Sequence, residues 1–299
     1  MRRIVRSEAI CLRVRDYHES SKLVTFFTLE RGKVNCLAKG ARRLRSRFGA
    51  AIDIFVQSRI IYYLRETRDL YTLSDAELVH SYSALVQQTE RFLAAEQMSE
   101  FVLRVTQPHD PSPQLYRLLL NYLSTLESFP PGPPSSDLTP PSSHYPSPYS
   151  ALVCSFLLKA ASFLGFRPEL RRCLICRRPI ESQRPSYFDS GRGGIICPRC
   201  ADEQKDTRKT GTVPRVERSE GLSPVSASLT RLEPAALDTL AFLLYTPAAE
   251  IATLAPPPSS SLLAPPSSLL DLVLGFLGHH FDPLVLNSFH WHARLERDA

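Results

Sequence analysis

Ile10, Leu12 and Val14 alternate with Cys11, Arg13 and Arg15 near the start of the chain. This is the period-2 pattern of a strand with one covered face, and it predicts Ile10, Leu12 and Val14 on that face. "SKLVTFFTLE" (21–30) reads as a second strand, rich in β-branched and aromatic side chains. "RGK" (31–33) is a turn signal, because Gly32 is free to take a positive φ. "VNCLAKG" gives a third strand, "IDIFVQSRIIYYLRE" a long fourth or two shorter ones, and "LYTLSDAEL" follows the turn at "TRD". About five short strands with tight turns predict a small closed barrel, with the OB-fold as first candidate and an SH3-like barrel as its rival.

From residue 84 the period becomes helical. Phe92, Ala95, Met98, Val102 and Val105 share one face, and Leu115, Leu118, Leu119, Tyr122, Leu123 and Leu126 share another. A third helix carries Leu152, Val153, Phe156, Leu157, Ala160 and Leu164, closed by Gly165 and stopped by Pro168. Pro234 suits a first helical turn, and Leu270, Val273, Leu274 and Leu277 mark a last helix. Two Pro/Ser-rich segments, 129–150 and 254–268, interrupt the pattern and are expected to be surface loops, since proline at that density excludes helix. The fold class expected is therefore α+β multidomain: an OB-fold β-barrel over 1–80, then an α-helical domain over 81–299.

Charge sharpens this picture. The chain of 299 residues has a formal charge of +6, yet residues 1–65 hold 15 Lys+Arg against 5 Asp+Glu. The barrel is thus strongly basic and the remainder mildly acidic, which points to a polyanionic partner. The stretch "KGARRLRSRFGA" (39–50) packs Lys39, Arg42, Arg43, Arg45 and Arg47 together with no acid among them. It lacks apolar periodicity and lies between the third and fourth strands, so it reads as a cationic loop able to follow a phosphate chain. A basic barrel with exposed rings suits single-stranded nucleic acid, and Phe26, Phe27, Phe48, Tyr62 and Tyr63 are the candidate rings. In each adjacent pair one ring should point into the core and one outward. Phe48 either stacks on a base or anchors the loop. Arg13 and Arg15 complete the expected contact set.

"CLIC" (173–176) and "CPRC" (197–200) place Cys173, Cys176, Cys197 and Cys200 in two Cys-x2-Cys knuckles joined by a glycine-bearing loop. That spacing lets four sulfurs converge on one tetrahedral ion, so a single structural Zn²⁺ is expected within 171–202. Four thiolates leave no open position for Lewis-acid chemistry. Arg171, Arg172, Arg177, Arg178, Arg192 and Arg199 surround the motif, as a second anion-facing patch or as an offset to thiolate charge. Cys11, Cys36 and Cys154 stand alone in apolar contexts and read as core residues of a protein in a reducing, cytoplasmic compartment. The segment 279–292 holds four histidines and Asp282, read as surface and packing groups. No uninterrupted apolar run reaches membrane-spanning length, and no phosphate loop or nucleophile–base arrangement occurs. A non-enzymatic binding protein is therefore expected. A zinc-containing OB-fold RNA-binding protein is the alternative.

The residues from Leu12 to Phe55 resemble the start of the RecO family of bacterial recombination mediators. The resemblance rests on Arg15, Asp16, Tyr17 and Glu19, on Phe26, Thr28, Glu30, Arg31 and Gly32, and on "AKGAR" followed by "SRFGA". It continues through a helical part with the paired cysteine knuckles. It implies an OB-fold, a helical domain with a zinc motif, and binding of single- and double-stranded DNA with annealing of complementary strands. It also implies two protein partners: RecR, with which such proteins load RecA, and the acidic C-terminal tail of single-strand-binding protein. A cytoplasmic, nucleoid-associated protein acting without nucleotide hydrolysis follows from the same resemblance.

Overall fold

The computed structural model describes residues 3–64, 69–129, 148–181, 184–209, 229–253 and 266–281. Five strands, β1 (Arg3–Tyr17), β2 (Ser21–Thr28), β3 (Gly32–Ala38), β4 (Val56–Leu64) and β5 (Leu70–Ser81), close into a barrel in the order β1-β2-β3-β5-β4. All neighbours are antiparallel except β3 and β5. This is the OB arrangement. Closure depends on β1, whose first part pairs with β4 and whose second part pairs with β2, with an irregularity between Cys11 and Arg13. A bulge of this kind bends a strand and increases its twist, which a small barrel needs.

That irregularity corrects the assignment of faces in β1. Val5, Ala9 and Cys11 line the barrel interior with Val24, Phe26, Val34, Cys36, Ile60, Tyr62 and Leu73. Ile10 and Leu12 therefore point to the other side of the sheet, and they are buried as well. Alternation alone cannot reveal this, because the barrel is covered from outside by helices. Burial pushes the Cys11 and Cys36 thiols far up, as befits core residues.

The covering helices are α1 (Ser83–Val86), α2 (Thr89–Val105) and α3 (Pro113–Ser128). Phe55 meets Phe92 of α2 with ring centroids 5.8 Å apart, and Phe27 meets Tyr116 of α3 at 6.0 Å. The Lys33 ammonium on β3 donates to the carbonyls of Leu103 and Thr106 at 2.8 and 2.6 Å, at the C-terminal end of α2. A cation there meets the negative end of the helix dipole. The turn into β3 is equally tight. Gly32 has φ +64°, and a Cβ there would lie 2.1 Å from the Asp110 carbonyl oxygen.

The chain divides into two compact units, and the first takes the barrel together with α1–α3. The change from strand to helix falls after Ser81, whereas the division by compactness falls beyond α3. The second unit contains α4 (Pro148–Phe163), β6 (Ser186–Asp189), β7 (Gly194–Ile196), α5 (Pro198–Lys209), β8 (Leu229–Leu232), α6 (Pro234–Tyr245), α7 (Ala248–Thr253) and α8 (Pro266–His280). It is not purely helical, because β7, β6 and β8 form an antiparallel sheet. Helix α4 is buried from Leu152 to Leu158 among α6, α7 and α8. Gly165 ends its last turn at φ +93°, and the Phe166 N–H returns to the Ala161 carbonyl at 2.9 Å.

Both expected Pro/Ser-rich loops lose their ends to helices. Helix α4 begins at Pro148 and α8 at Pro266, positions where the missing N–H of proline costs nothing. Residues 130–147 and 254–265 lie outside the described residues.

Candidate nucleic-acid interface and metal centre

The cationic stretch connects β3 to β4 at one end of the barrel. It is a chain of turns held by its own backbone: the Arg43 N–H donates to the Gly40 carbonyl at 3.1 Å and the Ser46 N–H to the Arg43 carbonyl at 3.0 Å. Gly40 takes φ +72°, which the first reversal requires. A single 3-10 turn, Gly49–Ile52, then returns the chain to the barrel. Lys39, Arg42, Arg43, Arg45 and Arg47 are all exposed. Among the described residues, only Arg42 of these five pairs with a carboxylate, its Nε lying 3.3 Å from Asp16 Oδ2. Its Nη1 donates to the His18 carbonyl at 3.1 Å, and its backbone N–H to the Ser20 carbonyl at 3.0 Å. Arg42 thus fastens the loop to the β1–β2 turn, and the other four cations have no carboxylate partner among the described residues.

Phe48 does not face a partner. It is 2 % exposed and belongs to the barrel core, so the ring anchors the loop and no base can reach its faces. The Arg47 guanidinium carbon lies 4.9 Å from the centre of that ring, which orients Arg47 from a buried foundation. The other candidate rings are also used internally. Phe26 and Tyr62 point into the barrel, and Phe27 points outward yet is buried against Tyr116. Tyr63 is half-buried and pairs with Ile4, at the end of β1 remote from the loop. Arg15 is exposed. Arg13 is half-buried near α2, where it counters the upward push that burial and Glu100 give the Glu96 carboxyl.

The four cysteines of the second unit come together. Their sulfurs all lie within 4.8 Å of one another, with Cys176 and Cys197 at 3.8 Å. A zinc–sulfur tetrahedron with bonds of about 2.3 Å requires sulfur separations of roughly 3.8 Å, so the donor set fits such an ion. The first knuckle is shaped by the Arg177 N–H donating to the Cys173 carbonyl at 2.9 Å, with Arg177 itself at φ +60°. The Cys197 N–H donates to Cys173 Sγ at 3.4 Å. Burial opposes ionisation of Cys173, but the N–H groups of Cys197, Cys176 and Ile175 outweigh it and hold the thiol at about 6. Burial and the neighbouring sulfurs push Cys200 up to about 12. Four adjacent sulfurs resist joint ionisation unless a cation offsets them. The surrounding arginines are partly spoken for. Arg199 pairs with Glu203 at 3.0 Å and Arg192 with Asp189 at 3.7 Å, while Arg171 lies 4.4 Å over the Tyr245 ring. Arg172, Arg177 and Arg178 are exposed without a carboxylate partner among the described residues.

Comparison with known proteins follows the same order along the chain. The family described as Recombination protein O N terminal matches residues 1–82, and Recombination protein O C terminal matches 86–138 and 143–210. A DNA repair protein RecO from Anaeromyxobacter sp. (strain K) is 31 % identical over 278 residues, 92 % of this chain and 91 % of the relative. One from Symbiobacterium thermophilum is 35 % identical over 197 residues, 66 % of this chain and 71 % of the relative. The chain belongs to the RecO family.

The RecO matches span both the barrel and the cysteine knuckles. What sequence reasoning missed in this RecO chain is the set of long-range ties. No periodicity signals that Asp16 and Arg42 meet, or that Leu229–Leu232 joins the sheet at Ser186–Asp189. His280 packs its ring against Phe276 at 4.7 Å and Phe166 at 5.1 Å, and burial lowers its pKa. Asp282, His290 and His292 lie outside the described residues. Among the described residues no helix is long and apolar enough to cross a membrane.

Proposed function

We propose that this RecO-family chain acts in DNA repair and recombination as a non-enzymatic mediator, gripping DNA through the loop between β3 and β4. The observation that carries this reading is the group of four exposed cations, Lys39, Arg43, Arg45 and Arg47, with no carboxylate partner among the described residues, raised on a loop whose base is clamped by Phe48 and Arg42. Such a group binds single and double strands alike, because phosphate contacts read charge rather than sequence. Two complementary strands repel through their phosphates, and a protein that neutralises both lowers that repulsion, so annealing needs no covalent step. The protein would work with RecR to load RecA onto DNA coated by single-strand-binding protein, whose acidic tail it would bind. Its zinc ion would be structural and held by Cys173, Cys176, Cys197 and Cys200. The cytoplasm, at the nucleoid, is the compartment that this work and the reduced cysteines suit.

The test is a salt titration of binding to oligothymidylate and to duplex, paired with annealing of complementary strands. The log–log slope for single strands should be roughly −3, the value for about four phosphates. Replacing Lys39, Arg43, Arg45 and Arg47 by Ala should flatten that slope and slow annealing without altering thermal unfolding. Unchanged binding in that variant overturns the assignment. RNA of equal length is the competitor that decides against the RNA-binding alternative, and incubation of labelled DNA with Mg²⁺ should yield no cleavage.

A further inference from the structure

The basic loop has no free ring of its own, since Phe48 is buried. An exposed ring stands beside it on the neighbouring turn. Tyr17, at the end of β1, is 37 % exposed, and among the described residues of the barrel unit it is the one Phe, Tyr or Trp so exposed. Its surroundings are those of a stacking platform. The cross-strand partner of Tyr17 is Ser21, whose small side chain leaves the ring uncovered from β2. Arg15 lies two positions earlier on β1, so it shares the outer face of the sheet with Tyr17. The row behind consists of Arg15, Leu23 and Leu37, the two leucines half-buried. Lys39 follows Ala38, the partner of Lys22, and so stands beside Ser21. Apolar surface, an open ring and flanking cations thus occur together on the outer face of β1–β2–β3.

The ring is also held in place. His18 takes φ +52° and meets Tyr17 edge-on, with centroids 4.1 Å apart and planes at 73°. Arg42 donates to the His18 carbonyl and pairs with Asp16, so the residues on both sides of Tyr17 are tied to the base of the cationic loop. We propose that Tyr17 stacks on an unpaired base of a strand whose phosphates are followed by Arg15, Lys39 and the loop cations, and so adds to a group that binds both forms alike a preference for single strands. This rests on the polyanion reading of the loop. Duplex offers the same phosphates but keeps its bases inside the helix, so the ring adds nothing there.

The experiment uses the full chain and measures equilibrium binding to oligothymidylate and to a duplex of equal length, for wild type, Tyr17→Ala and Tyr17→Phe. Tyr17→Ala should weaken single-strand binding by about tenfold. Duplex binding should stay within about twofold, and the salt slope should not change, since no charge is removed. Tyr17→Phe should restore single-strand binding, because the ring face and not the hydroxyl carries the contact. If wild type binds both forms and Tyr17→Ala keeps the wild-type ratio between them, the Tyr17 assignment falls while the loop reading stands. If wild type binds neither form, both fall.

Discussion

The Nε of Arg42 lies 3.3 Å from a carboxylate oxygen of Asp16, so the loop between β3 and β4 is pinned to the turn between β1 and β2. The pair is open to solvent, with side-chain exposures of 40 % and 61 %, and contributes under about 1 kcal/mol to folding. Its role is local order. Arg42→Ala should leave the urea midpoint nearly unchanged while trypsin cuts the loop after Arg43, Arg45 and Arg47 faster. Because Asp16 already offsets its charge, Arg42→Ala should flatten the salt dependence of DNA binding less than Arg45→Ala does. Equal flattening by the two variants would refute the distinction.

Phe48 yields a prediction opposite to that of a base-stacking ring. Phe48→Ala empties a site at 2 % exposure and should cost about 3–5 kcal/mol in urea unfolding. Phe48→Leu refills most of the space and should retain DNA affinity at temperatures where the barrel is folded. A stacked ring would lose affinity with leucine and keep its stability.

Cys173→Ser and Cys200→Ser should each abolish metal retention, read as zinc released per chain on thiol modification. The knuckle has a small core of its own, with Cys173, Ile196, Cys200 and Ala201 its buried members. Structural zinc supplies on the order of 10 kcal/mol to such segments. Chelation should therefore expose the bonds after Arg172 and Arg177, which flank the first pair of cysteines, to trypsin. Resistance of those bonds in metal-free protein would show that the sheet of β6, β7 and β8 holds the segment unaided.

Lys159 carries a pH signature. Burial lowers its ammonium pKa to about 8, and its Nζ donates to the Thr246 carbonyl at the end of α6. In the unfolded chain the group titrates near 10.4. Between those values the unfolded state holds more protons, so this lysine makes stability rise with pH from about 8 to about 10.4. Below that window its penalty is constant. The stability difference between wild type and Lys159→Met should therefore shift in favour of wild type across that interval, measured by urea unfolding at several pH values. A flat difference would remove Lys159 as the cause.

Much of this architecture was legible in the residues themselves. The five strands, the cationic stretch between the third and fourth, and the two cysteine knuckles follow from local causes: side-chain alternation, turn glycines, charge density and ligand spacing. Gly165 and Pro234 marked a helix end and a helix start for equally local reasons. What local pattern could not supply was which surface each side chain meets. Cys11 faces the barrel interior and Ile10 the other side of the sheet, and the irregularity after Cys11 brings Val14 rather than Arg13 back to the interior; Ile10 is buried as well because the helices cover the barrel. Phe48 looked like part of the cationic surface, yet the chain folds it under the loop. The pairing of β6 with β8, like the bond between Arg42 and Asp16, joins residues far apart in sequence and leaves no periodic trace. The sequence by itself determined the elements and the charges. Only the tertiary structure decided which cations remain free and which ring stands beside them, because burial and pairing depend on contacts that exist only once the chain has closed on itself.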